Sequence, residues 1–216
     1  PEFYSTPEKI NKSLELNSKK IESMVATLFK ENNLHQEYSL YANGGFGKQE
    51  MFPSSDIDIS IIKNSNDIKN FDAIEKFIAK LWDSGFKIGH SVRTIKEVNQ
   101  ITKKDPKEFT SYLTNRPIIT DQKINTILQK TLLDKWSKKK FFKAKILEQE
   151  LRHKSFFSTQ YNLEPNLKES PGGLRDFQNA LWILHHCFEL WDGVSILQSS
   201  DFGSIYKRTI NSYNFI

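Results

Sequence analysis

Two aspartates separated by one residue, Asp56 and Asp58, are the side chains of this sequence best suited to chemistry. They open an apolar run, Asp56–Ile62, that predicts a buried strand. Successive side chains of a strand point to opposite faces, so the carboxylates share one face while Ile57 and Ile59 face the core. Two like charges so placed are costly unless a cation lies between them. Oxygen ligands without cysteine or histidine at a matching spacing favour Mg²⁺ over zinc, so we expect Asp56 and Asp58 to bind Mg²⁺.

A glycine-rich stretch precedes the aspartates and predicts a phosphate site beside the metal. Gly44, Gly45 and Gly47 permit close approach of the backbone, and a helix should begin near Phe46. Backbone N–H groups at the start of a helix bind phosphate. Metal and phosphate would therefore meet at one place, which points to transfer of a nucleotidyl group from a nucleoside triphosphate.

Three blocks of the sequence resemble a known enzyme family. The first, GGFGKQEMFPSSDIDIS (44–60), is similar to the nucleotidyltransferase superfamily that includes DNA polymerase beta. It resembles more closely the bacterial PII uridylyltransferases, which uridylylate the nitrogen-regulatory protein PII. The other blocks are GHSVRT (89–94) and YNLEPNLKESPGGLRD (161–176). An Asp-x-Asp pair alone is a weak sign, whereas three blocks in this order are a strong one.

The resemblance implies an α+β fold of the polymerase-beta type, with a small mixed sheet flanked by helices and followed by a helical subdomain. We expect an N-terminal helix in residues 1–35, a nucleotidyltransferase core in 36–120 and the helical subdomain in 121–216. Residues 157–175 interrupt the helical pattern with prolines and glycines, and the resemblance implies that this loop covers the nucleotide.

The resemblance also implies an activity and assigns residues to it. UMP would pass from UTP to a tyrosine of PII, with Mg²⁺ as cofactor and pyrophosphate as the leaving group. Asp56 and Asp58 would be both catalytic and metal-binding. The substrate-binding residues would be Gly44, Gly45, Lys48, Ser55, Arg93, Glu164, Lys168 and Arg175.

Several of these roles have structural alternatives. Arg93, Lys168 and Arg175 are suited to the triphosphate or the leaving pyrophosphate, but arginines also form surface ion pairs. Superfamily members have a third carboxylate at the metal, and Glu164 would supply it or would orient the acceptor tyrosine as a general base. Its alternative is an ion pair with Lys168 or Arg175. His90 is more simply a hydrogen-bonded structural histidine than a ligand.

The sequence departs from the family pattern at three points. Lys48 stands where arginine is more common and Gln49 where glycine is common. Superfamily members also place a third carboxylate on the strand after Gly85, and the predicted strand from Phe86 to Val92 has none.

Composition restricts the partners. The sequence has 216 residues, of which 38% are hydrophobic and 26% charged, which is ordinary for a globular protein. The net charge of +5 is spread among 26 acidic residues, so we expect no nucleic-acid partner. No apolar run approaches the ~20 residues that span a bilayer, so we expect no membrane partner. The single cysteine, Cys187, excludes an internal disulfide and is typical of the cytoplasm.

Two further expectations concern context. The chain begins at Pro1 without a methionine and lacks a stop signal at its end, so we expect a fragment of a protein with further domains. Two alternative functions stay open: an adenylyltransferase of the same superfamily, because Asp-x-Asp does not select a base, and a non-catalytic nucleotide-binding module.

Overall fold

A small mixed sheet forms the centre of the N-terminal part of the chain. The computed structural model describes residues 7–65, 71–133, 135–158 and 166–188. The chain divides into two compact units, Pro1–Lys135 and Trp136–Ile216. The sheet lies in the first unit and consists of β1 (Tyr38–Ala42), β2 (Ile57–Lys63), β3 (Ile88–Thr94) and β4 (Arg116–Ile119).

The strand order is β3-β2-β1-β4. Strand β1 is antiparallel to β2 and β4, whereas β2 and β3 are parallel. The helices of the first unit are α1 (Pro7–Glu31), the single turn α2 (Gly44–Gly47), α3 (Phe71–Asp83), α4 (Ile95–Lys104), α5 (Pro106–Leu113) and α6 (Gln122–Leu132). The second unit contains α7 (Lys138–Ser158) and α8 (Leu174–Phe188). The predicted α+β class, with a small mixed sheet flanked by helices, is confirmed.

One face of the sheet packs against α1 and α3 to form the main hydrophobic core. Helix α1 contributes Val25 and Phe29, which lie four residues apart and are fully buried. Helix α3 contributes Phe77, whose ring meets that of Phe29 edge-on with 5.3 Å between centroids. Strand β2 contributes every second residue from Ile57 onward. The intervening residues of β2, beginning with Asp58, therefore face away from this core.

Strand β4 was not predicted, because Arg116–Pro117 was interpreted as a break between helices. Pro117 lies opposite Tyr41 of β1, next to a register shift in β1. Proline cannot donate a ladder hydrogen bond, but β4 is an edge strand with one neighbour, which is where a strand tolerates proline.

No described helix combines the length and the apolar character that crossing a membrane requires.

The core predicts unequal costs for two phenylalanines of α3. Phe77→Ala should lower the free energy of unfolding by about 3–5 kcal/mol, because it leaves a cavity beside Phe29. Phe71→Ala should cost about 1 kcal/mol or less, since Phe71 is 49% exposed and its ring lies 4.2 Å from the ammonium of Lys63. Urea unfolding followed by circular dichroism measures both, and equal losses would contradict this account of the core.

Candidate active site

Asp56 and Asp58 lie at the start of β2, on the face of the sheet away from the α1–α3 core. Both side chains are exposed, whereas Ile57 and Ile59 are buried, as the predicted alternation requires. The backbone carbonyl of Asp58 accepts a hydrogen bond from the N–H of Asn43 at 2.9 Å. This bond joins the start of β2 to the end of β1, where the glycine-rich turn begins.

The carboxylate of Asp58 lies between two glycines. A Cβ atom on Gly89 would be 2.2 Å from Oδ1, and one on Gly44 would be 3.1 Å from Oδ2. Gly89 is the direct partner of Asp58 in the parallel β2–β3 pair. Gly44 has a φ of 55°, in the left-handed region. Asp58 therefore has its position because neither neighbouring backbone bears a side chain. We call this place of the Asp58 carboxylate between Gly44 and Gly89 the glycine seat.

Gly89 is a site residue that the sequence analysis missed. Gly89 lies on the predicted strand from Phe86 to Val92, and no role was predicted for it. A glycine inside a strand is a recognised sign of close approach, and here the approaching group is a carboxylate. Identifying that group requires the β2–β3 register, which the sequence does not reveal.

The other residues predicted to contact phosphate lie on the segment between β1 and β2. Gly45 is exposed within α2, and Lys48 ends that turn with its N–H donating to the carbonyl of Gly44. Ser55 lies immediately before Asp56, with its N–H on the carbonyl of Phe52 at 3.0 Å. Gly44, Gly45, Lys48 and Ser55 therefore lie on the connection between β1 and β2 that leads to the aspartates, and Gly44 lies beside Asp58.

A buried polar chain runs beside Asp58. The Nδ2 atom of Asn43 donates to Oγ of Ser60 at 2.5 Å, and Oγ of Ser60 lies 3.2 Å from Oγ of Ser91. Ser60 and Ser91 are two residues beyond Asp58 and Gly89, so they lie on the same face of the sheet. These bonds tie β1, β2 and β3 together next to the carboxylates.

Arg93 lies at the far end of β3 and is held by α5. Its Nη1 atom donates to Glu108 at 2.8 Å and to the hydroxyl of Tyr112 at 3.1 Å, while Nη2 donates to Glu108 at 3.2 Å. The ion pair left open as the alternative for Arg93 is thus present. A role for Arg93 with the triphosphate stays a prediction.

The remaining predicted residues belong to the second unit. Glu164 lies outside the described residues. The side chain of Lys168 is exposed. Arg175 donates to Glu169 at 3.3 Å and to Gln178 at 3.1 Å, so an ion pair within its own unit holds it.

Asp176 gathers the contacts that hold the loop before α8. It accepts hydrogen bonds from the N–H of Gly172 at 2.7 Å and from Arg152, and its Oδ2 lies 2.8 Å from Nε2 of His153. Burial by itself raises the pKa of Asp176, but the Gly172 N–H, His153 and the charge of Arg152 together hold that pKa below its usual value.

The residues present fit a hard divalent cation with two protein ligands. Asp56 and Asp58 are exposed and offer carboxylate oxygens, and Asp58 lies where Gly44 and Gly89 bear no side chains. Within the described ranges, no three histidine, cysteine, aspartate or glutamate residues gather into a metal-binding group. The residues of β3 beside Asp58 and Ser60 are Gly89 and Ser91, so β3 places no carboxylate beside Asp58.

Comparison of the sequence with known proteins identifies its family. A family model described as GlnD PII-uridylyltransferase matches residues 140–211. A bifunctional uridylyltransferase/uridylyl-removing enzyme of Nitrosococcus oceani is 39% identical over 176 residues, which cover 80% of this chain and 20% of that protein. The chain belongs to the PII-uridylyltransferase family. The family predicted from the three sequence blocks is confirmed.

Other members give the same picture. The enzyme of the same description from Haemophilus influenzae is 39% identical over 173 residues, 76% of this chain and 20% of that protein. That from Pseudomonas fluorescens is 42% identical over 150 residues, 68% of this chain and 17% of that protein. The chain thus spans about a fifth of the length of these family members.

The glycine seat predicts a steric conflict that a second substitution relieves. Gly89→Ala should lower the free energy of unfolding by about 1–3 kcal/mol, because the new methyl group would overlap Oδ1 of Asp58. Asp58→Ala in the Gly89→Ala background should recover most of that loss. A double-mutant cycle from urea unfolding measures the coupling, and additive effects would contradict the proposed seat.

Asp176 predicts how acid affects the second unit. Its lowered pKa means that its stabilisation is fully present above pH ~3.9, the unfolded-state value, and is lost as pH falls through the lower folded-state value. Wild-type stability should therefore fall more steeply in acid than that of Asp176→Asn. Urea unfolding followed by tryptophan fluorescence in a Trp82→Phe background reports on the second unit, and parallel pH profiles would contradict the assignment.

Proposed function

We propose that this chain is the nucleotidyltransferase part of a PII uridylyltransferase. It transfers UMP from UTP to a tyrosine hydroxyl of PII and releases pyrophosphate. The observation that supports this most is the seat of Asp58 between Gly44 and Gly89, at the connection that holds Asp56 and the glycine-rich turn. Membership of the family supplies the choice of nucleotide and acceptor.

Asp56 and Asp58 would hold Mg²⁺ through their carboxylate oxygens. When bound, Mg²⁺ neutralises charge on the triphosphate and aligns the attacking oxygen with it. The protein's own contribution is to keep the two carboxylates exposed on one face. The buried Ile57 and Ile59 anchor that stretch of β2 in the core, so the aspartates are presented by a rigid element.

The substrate-binding roles follow from position along the chain. Gly44, Gly45, Lys48 and Ser55 occupy the segment between β1 and Asp56, so we assign them to the phosphates of UTP. Arg93 shares the sheet face of Asp58 and contributes positive charge while it stays bound to Glu108. Lys168, Arg175 and Glu164 are assigned to the triphosphate and the acceptor hydroxyl on the family pattern alone.

One observation favours a non-catalytic nucleotide-binding module instead. The described residues provide two acidic side chains at the site and no third. The exposure of both carboxylates and the place of Asp58 between two glycines argue for catalysis, because a site that binds no metal has no need of Gly89 beside Asp58.

Loss of one carboxylate should abolish transfer while leaving the fold intact. We expect Asp58→Asn to lower UMP transfer by about 100-fold or more, because its carboxylate charge at the metal is lost. The assay combines the chain, labelled UTP, Mg²⁺ and PII, with circular dichroism as the test of folding. Asp83→Asn, an equivalent change at the exposed end of α3, should retain wild-type activity.

The outcomes separate the candidate functions. Retained transfer in Asp58→Asn would refute the metal assignment. Calorimetric titration of the wild type with Mg²⁺ and UTP, ATP or CTP tests the base, and preference for ATP would favour the adenylyltransferase. Nucleotide binding without transfer to any acceptor would favour the non-catalytic module.

A further inference from the structure

Arg116 of β4 holds the C-terminal end of the glycine-rich turn. Its Nε atom donates to the carbonyl of Gly47 at 3.0 Å, and its Nη2 atom donates to the carbonyl of Phe46 at 3.4 Å. These carbonyls lie at the C-terminal end of the single turn α2, and that of Phe46 also accepts a hydrogen bond from the N–H of Gln49 at 3.2 Å. The guanidinium adds donors to both carbonyls and places positive charge at the favourable end of the turn.

Glu22 of α1 fixes the orientation of Arg116. Its Oε2 atom accepts a hydrogen bond from Nη2 of Arg116 at 2.7 Å. The side chains are 27% and 25% exposed, so the pair is partly removed from water. A charge-assisted hydrogen bond in such a place is stronger than an exposed surface ion pair. The guanidinium is therefore held between the helix and the turn.

Helix α1 also binds Met51, at the C-terminal end of the segment that begins at Gly44. The Nδ2 atom of Asn17 donates to the carbonyl of Met51 at 2.8 Å, and the N–H of Met51 donates to Oγ of the buried Ser18 at 3.1 Å. Met51 itself is 1% exposed. Residues 44–51 are thus attached to α1 directly at Met51 and through Arg116 at Gly47.

The turn has little room to shift. A Cβ atom on Gly47 would be 2.9 Å from the carbonyl oxygen of Ala42 and 3.1 Å from that of Thr114. Gly47 therefore packs directly on the backbone at the end of β1 and on the residues just before Arg116. At its N-terminal end, the turn places Gly44 beside Oδ2 of Asp58. Because Gly44 and Gly47 belong to the same helical turn, a displacement of Gly47 would also displace Gly44.

We propose that Glu22 and Arg116 are positioning residues for the carboxylate of Asp58. They hold the C-terminal end of the Gly44–Gly47 turn, and Gly44 forms one wall of the space that the carboxylate occupies. Neither residue is assigned a contact with substrate. The inference rests on the proposed function, because the orientation of Asp58 affects turnover only if Asp58 takes part in it.

Two conservative substitutions test this inference against a matched control. Glu22→Gln removes the charge that orients the guanidinium, and Arg116→Lys keeps a cation but loses the forked pair of donors. Glu15→Gln is the control, since it makes the same change on the same helix and breaks only an exposed pair with Lys19. Transfer kinetics, calorimetric affinity for Mg-UTP and amide hydrogen exchange of residues 43–51 are measured for each chain, well below its unfolding temperature.

Both test variants should show kcat lowered by about 10- to 100-fold, because a small misplacement of a catalytic group has that effect. The affinity for Mg-UTP should change much less, as expected when transition-state interactions are lost. Hydrogen exchange of 43–51 should rise in the same two variants. Glu15→Gln should match the wild type in all three measurements.

The outcomes distinguish this inference from the proposed function. Unchanged kcat in both variants, with or without a lower unfolding temperature, would leave the pair a purely structural role and overturn the inference. Unchanged exchange of 43–51 would also overturn it. A wild-type chain without transfer would defeat the proposed function, and raised exchange in the two variants alone would then support the hold on the turn.

Discussion

The Asp58 carboxylate packs against two stretches of backbone that bear no side chain, and the candidate site depends on this contact. A strand residue normally has side chains beside it on the neighbouring strand, and here the neighbour is Gly89. On the other side the chain turns at Gly44 with a positive φ. The site therefore depends on a steric vacancy as much as on charge. The Asp58 carboxylate occupies space that a side chain on residue 44 or 89 would fill.

This vacancy is maintained from the core side. Ile57 and Ile59 fix the inner face of β2, and Asn43 joins β1 to β2 through both its backbone and its side chain. The glycine-rich turn has backbone hydrogen bonds of its own and is also held by α1 and β4. Elements with no candidate catalytic side chain thus determine where the candidate catalytic side chains lie.

Several charged side chains of the described residues form pairs that join two elements. Arg116 pairs with Glu22, Arg93 with Glu108, and Arg152 with Asp176. In the second unit, the buried Lys145 pairs with Glu148 at 2.7 Å and lies over the ring of Trp182, while burial lowers its pKa.

Features that depend on local pattern were predicted from the sequence alone. They include the N-terminal helix, the strand that begins at Asp56, the strand from Phe86 onward and the Asp-x-Asp spacing, which places both carboxylates on one face. The three sequence blocks identified the family. Each of these features is encoded within a short stretch of chain, where period, turn residues and motif spacing can be examined directly.

The residues that complete the site are distant in sequence, and tertiary contacts select them. Pro117 argued against a strand until the sheet order made β4 an edge. Gly89 acquired its role from a parallel register, which no local pattern specifies. Arg116 and Glu22 are 94 residues apart, and their contact depends on how α1 packs against the sheet. Such contacts result from the packing of the whole unit, because several partners compete for every charged side chain until the core selects one arrangement.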